Sequence, residues 1–108
     1  MTREQLPNRR QIEHFEIEAG NFSYTVGVGR YPGGRVGEIF IDAGKAGTDL
    51  RTTSHDLAVA VSKLLQLGET VEGLRHCFAR TEDGSPAGII ATLLDDLALR
   101  NVVREAAE

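Results

Sequence analysis

Hydrophobic positions recur along this chain at two periods, and the change from one to the other falls after residue 42. Before it the period is two. Phe15 and Ile17 alternate with Glu16 and Glu18, which predicts a strand at about residues 13–19. Ala19-Gly20-Asn21 reads as a turn. Phe22, Tyr24, Val26 and Val28 then share one parity, while Ser23, Thr25, Gly27 and Gly29 share the other. That pattern predicts a half-buried strand at about residues 22–30, with its bulk on one face. The small residues of the second face either admit a close neighbour or weaken the strand. Tyr31-Pro32-Gly33-Gly34-Arg35 is a turn signal, and residues 36–42 predict a third strand that closes a hairpin with the second. No helix separates the strands, so the expectation is an antiparallel meander.

After residue 42 the period is helical. Thr48 is a candidate N-cap, and Asp49 places negative charge in a first turn. Leu50, Leu57, Val61, Leu64 and Leu65 form one stripe, and Gly68 sits where a C′ glycine belongs, which predicts a helix at about residues 49–67. Thr70 caps a shorter helix at 71–79, with Val71, Leu74 and Phe78 on its apolar side and Cys77 beside them. Ser85 reads as the cap of a third helix at 86–104 and Pro86 as its first residue. Ile89, Ile90, Leu93, Leu94 and Leu97 form its stripe, and the tail from Arg100 is expected to fray. The fold class is α+β, with the long helix packed on the Tyr24/Val26/Val28 face. Residues 1–12 read as a polar, flexible leader and 13–108 as one domain. Any apolar face left over would favour a homodimer.

Composition narrows the function classes. The 108 residues carry 12 Lys and Arg against 16 Asp and Glu, a net charge of −4, which disfavours general nucleic-acid binding. Arg3, Arg9 and Arg10 are the one basic cluster and read as solvated leader. No apolar run reaches the roughly 20 residues of a membrane span, and the first ten residues are polar, so a cytoplasmic protein with no membrane contact is expected. With one cysteine the chain has no internal disulfide.

Candidate chemistry is sparse. Gly44-Lys45-Ala46-Gly47-Thr48 joins a strand to a helix, where backbone amides, the helix N-terminus and Lys45 can together hold an anion. The spacing is not that of a phosphate loop, and the glycines serve equally as a plain turn, so both readings stand. Cys77 reads as a structural thiol on an apolar helix side, or as a redox group. His14, His55 and His76 show no metal-site spacing, and no acid/base pair or nucleophile triad is visible, so no catalytic residue, metal or cofactor is expected.

The segment Glu38-Ile39-Phe40-Ile41, followed by Gly44-Lys45-Ala46-Gly47-Thr48-Asp49, is similar to part of the TSCPD domain. That domain is found at the C-terminal end of cobalamin-dependent ribonucleotide reductases and as small free-standing bacterial proteins. Tyr24 to Asp42 resembles its strand–turn–strand, Ser62 to Gly68 its long helix and stop, and Thr70 to Leu74 its short helix. Asp83-Gly84-Ser85-Pro86-Ala87 stands where the family's namesake Thr-Ser-Cys-Pro-Asp is expected. There the proline is kept and Ser85 replaces the cysteine. Reductases need a catalytic barrel with a radical-forming cysteine, and a cysteine pair that passes electrons in. The resemblance therefore implies an accessory or interaction module in nucleotide metabolism and DNA replication, without catalysis of its own. Its partners would be a reductase, another nucleotide-metabolism protein or a second copy. It leaves two alternatives: a nucleotide or anion site at Gly44, Lys45, Gly47 and Thr48, and a redox partnership through Cys77.

Overall fold

The computed structural model describes residues 2–44 and 49–107, excepting the side chains of 102–107. Three strands, β1 (Ile12–Ala19), β2 (Phe22–Arg30) and β3 (Val36–Asp42), are followed by α1 (Asp49–Gln66), α2 (Val71–Arg75) and α3 (Ile89–Ala107). The sheet runs β1-β2-β3 with both pairings antiparallel. The α+β meander read from the sequence is what the chain forms.

Register follows the parity of the bulky residues. Phe15 and Ile17 pair with Val26 and Tyr24, and Val26 and Val28 pair with Ile41 and Ile39, so one face collects the apolar side chains. Between Gly29↔Glu38 and Arg30↔Val36 the register slips by one residue, leaving Gly37 as the extra residue of a β-bulge. The bulge returns Val36 to the apolar face, where it is buried. Over this face lie Ala58, Val61 and Leu65 of α1 and Leu93, Leu94 and Leu97 of α3, giving one two-layer core.

α1 is rotated from the expected stripe. Leu57 and Leu64 are 37% and 39% exposed, and the buried row is Ser54, Ala58, Val61 and Leu65. The rotation answers a backbone need of β3, whose outer edge has no strand neighbour. Ser62 Oγ accepts from Ile39 N (2.9 Å) and donates to Ile39 O (3.1 Å), and Gln66 Nε2 donates to Gly37 O (3.0 Å). Two polar side chains of α1 thus close the edge, and small residues beside them let the helix approach. Its C-terminus is a Schellman turn, with Glu69 N donating to Leu64 O, Gly68 N to Leu65 O, and Gly68 at φ 116°.

Two helix boundaries differ from expectation. α2 ends at Arg75, so Cys77 and Phe78 lie beyond it. Its predicted cap is present: Thr70 Oγ1 accepts from Gly73 N at 2.9 Å. α3 begins at Ile89 rather than Pro86. Asp83 takes the Ser85 N–H (3.0 Å), and Arg80 bridges Pro86 across a tight reversal, so Ser85 is committed to a turn. Gly88 takes the cap position, its carbonyl accepting from Thr92 N. The tail from Arg100 stays helical to Ala107.

Strand β1 takes in Ile12, the last residue of the expected leader, and the described residues before it form no strand or helix but make defined contacts. Glu4 N donates to Gln66 O, and Tyr31 Oη donates to Glu4 O. Arg35 lies over the Tyr31 ring, 4.2 Å from its centre, and donates to Glu4 Oε1 and Leu65 O.

Candidate functional site

The second face of the sheet carries the site. On β1 it presents Ile12 and His14, on β2 Thr25, Gly27 and Gly29, and on β3 Glu38, Phe40 and Asp42. The glycines of β2 are where the neighbours need room. A Cβ on Gly29 would lie 2.3 Å from Glu38 Oε1 and 2.6 Å from its Cγ. The Glu38 side chain therefore lies flat across β2, where it is buried. Arg10 clamps it through two parallel bonds, Nε to Oε1 at 2.5 Å and Nη2 to Oε2 at 3.0 Å. Arg10, read as part of a solvated leader, is instead the counter-ion of a buried carboxylate, and an unpaired charge there would be strongly destabilising.

One row along the face stands His14, Gly27 and Phe40 side by side. A Cβ on Gly27 would touch Phe40 Cδ2 at 3.2 Å and His14 Cε1 at 3.4 Å, so both rings lean toward the glycine between them. Phe40 remains 48% exposed. It borders a groove of about 550 Å³ between this face and α1. The helix contributes His55, Val59, Ser62 and Lys63, and the leader contributes Arg3.

The groove's lining sets Arg3 and Lys63 against Glu38 and Asp42. Glu38 is clamped by Arg10, and Asp42 lies 3.8 Å from Arg51 in a half-exposed pair. Arg3, Lys63, His14 and His55 have no ion pair or side-chain hydrogen bond among the described residues. The arrangement offers a flat apolar ring, two unmatched cations and two imidazoles around one concave surface.

Of the residues read from the sequence as an anion site, Gly44 has φ 90° and donates its N–H to Asp42 Oδ1 at 2.8 Å. Lys45, Gly47 and Thr48 lie outside the described residues. Cys77, expected on an apolar helix side, is exposed, its Sγ 3.6 Å from Gly73 O. It does not line the groove. The groove residues had one signal in the sequence, the run of small residues opposite the bulky parity of β2. Phe40 was hidden because it sits between Ile39 and Ile41 in an unbroken apolar run. No group of three His, Cys, Asp or Glu among the described residues is placed to hold a metal ion.

A second polar cluster joins α3, the end of α2 and the 80–86 turn. Asp95 of α3 accepts from Arg80 Nη2 (2.6 Å) and Nη1 (2.9 Å) and from Arg75 Nε (3.0 Å). The Arg80 guanidinium, aided by Arg75, holds the Asp95 carboxyl at about 2 against the opposing pull of partial burial. Asp83 is likewise held at about 2, first by the Thr81 hydroxyl and then by the Ser85 N–H, which keeps the 80–86 turn closed.

Fold and groove define a small α+β domain with an open sheet face. Comparison with known proteins relates this domain to vitamin B12-dependent ribonucleotide reductases. It is 38% identical over 88 residues to the enzyme of Agrobacterium fabrum, an overlap of 82% of this chain and 7% of that protein. It is 37% identical over 86 residues to that of Bradyrhizobium diazoefficiens (80% and 7%), and 36% over 80 residues to that of Rhodopirellula baltica (73% and 8%). The chain is a ribonucleotide-reductase-related domain that spans 7–8% of the length of these relatives. No family model matches it. No solved structure matches it. No helix among the described residues is long and apolar enough to cross a membrane.

Proposed function

We propose that this chain is a non-catalytic accessory module of the TSCPD kind, working in the cytoplasm with a B12-dependent ribonucleotide reductase and binding its partner through an apolar surface. The observation that carries the reading is the relation to a short region of those enzymes, together with a surface suited to a partner. Leu57 and Leu64 stand exposed on α1, and between α1 and the start of α3 runs an apolar cleft of about 320 Å³ bordered by Tyr24, Leu57 and Phe78. The single cysteine fits a supporting role, since a reductase's electron relay needs a cysteine pair.

The test is co-purification of the tagged chain with the B12-dependent reductase of the same cell, followed by sedimentation. A complex that dissolves on Leu57→Asp with Leu64→Asp supports the reading. A chain that stays monomeric, recovers no reductase and leaves reductase turnover unchanged refutes it. Homodimerisation through the same surface is the variant of the reading that sedimentation of the chain alone decides. A mixed disulfide with the reductase through Cys77 is a second reading, favoured by the exposure of the thiol. Normal complementation of a deletion strain by Cys77→Ser would rule it out.

A further inference from the structure

We infer that the groove between the second sheet face and α1 binds a nucleoside phosphate, its base against Phe40 and its phosphates between Arg3 and Lys63. The first support is shape. At about 550 Å³ the groove lies within the 300–1,000 Å³ of small-molecule sites, and it is concave, mostly apolar and edged by a few polar groups.

The second support is Phe40. A half-exposed aromatic ring on a strand is a stacking platform, and the glycine beside it keeps the floor flat. A Cβ-bearing residue at 27 would crowd both Phe40 and His14, so the absence of a side chain there is a condition of the groove's shape.

The third support is charge. Arg10 neutralises the buried Glu38, and Asp42 at the rim lies 3.8 Å from Arg51, while Arg3 and Lys63 are unmatched among the described residues, with the imidazoles of His14 and His55 beside them. In a chain of net charge −4, unmatched cations around an aromatic floor point to a ligand that is both flat and anionic. A single nucleotide fits better than a polynucleotide. Strand binders present successive rings along a basic track, and here the described lining is one short groove with a single phenylalanine at its floor.

This site is separate from the partner surface proposed above, which lies along Leu57 and Leu64, so either assignment can fail alone. The experiment is calorimetric titration of the full chain at low and at moderate salt. The probes are the four ribonucleoside triphosphates, adenosine, inorganic tripolyphosphate and a short single-stranded oligonucleotide. The inference expects saturable binding of at least one nucleoside triphosphate, with adenosine and tripolyphosphate each at least about tenfold weaker. Phe40→Leu and Phe40→Ala each weaken that binding about tenfold or more at unchanged unfolding temperature. Arg3→Ala combined with Lys63→Ala weakens it further and flattens its salt dependence. Absence of saturable binding overturns the inference. So does tripolyphosphate binding as tightly as the nucleotides, affinity indifferent to both Phe40 variants, or an oligonucleotide bound more than about tenfold tighter than any mononucleotide.

Discussion

Replacing Asp95 by asparagine should weaken the domain in a pH-dependent way, and the structure sets both the size and the window. Asp95 joins three pieces that share no regular hydrogen bonding: α3, the end of α2 through Arg75, and the turn region through Arg80. Its carboxyl drops from an ordinary 3.8 to about 2, which corresponds to roughly 2 kcal/mol of stabilisation of the ionised form. The side chain is 25% exposed, so water screens part of that; roughly 1–2 kcal/mol is the expected electrostatic share. Asparagine also withdraws an acceptor from Arg80, whose Nε is already buried without a hydrogen bond, and each further orphaned donor adds about 1 kcal/mol. The total, roughly 2 kcal/mol, lowers Tm by about 10 °C in a domain of this size. The folded pKa is depressed, so the contribution is complete above the unfolded value near 3.8 and is lost as pH falls through about 2. Thermal unfolding of native and Asp95→Asn chains followed by circular dichroism from pH 7 to pH 2 should show a gap that is constant down to about pH 5 and narrows towards pH 2. Equal Tm values at pH 7, or a gap undiminished at pH 2, would refute the reasoning.

Three further outcomes can be checked by denaturant unfolding. Gly29→Ala should cost about 3 kcal/mol or more, because the new Cβ would lie 2.3 Å from Glu38 Oε1 and would expel the carboxylate from Arg10. A loss below about 1 kcal/mol would show that Glu38 does not lie across β2. Ser62→Ala should cost about 1–2 kcal/mol by orphaning the Ile39 N–H and C=O on the sheet edge, and hydrogen exchange at Ile39 should accelerate. Gly68→Ala should cost about 1 kcal/mol through its positive φ alone, since nothing lies within 4 Å of the new methyl.

The periods of the chain carried most of the fold. Alternation in β2, the Gly68 stop and the Thr70 cap are local signals, and each appears in the structure where the pattern puts it. Two of the departures share one physical origin, competition for backbone hydrogen bonds by side chains distant or unranked in the sequence. α1 turned its leucines outward because Ser62 and Gln66 were needed at the β3 edge, 23 to 29 residues away. Ser85 failed to cap α3 because Asp83, two residues earlier, took its N–H. The site was less legible than the fold. Its floor comes from three strands and its wall from a helix, and the relation of Phe40 to His14 exists only through the register with Gly27.

That register also bears on how net charge should be read in so small a domain. Summed over the chain, acids outnumber bases, and the sum argues against an anionic ligand. Two acids are paired internally: Glu38 is clamped by Arg10, and Asp95 by Arg75 and Arg80, so these carboxylates project little field beyond their partners. Arg10 illustrates the point most directly. In sequence it extends a basic cluster with Arg3 and Arg9, and in the fold it leaves that cluster to neutralise the groove's own carboxylate. The field that a ligand meets is set by which charges remain unmatched at one surface. Among the described residues of the Phe40 groove those are Arg3 and Lys63, one from the leader and one from α1, brought to one surface with Glu4 N bonded to Gln66 O at the helix end. The leader's few contacts therefore place one of the groove's two cations and, through Arg10, offset one of its two carboxylates.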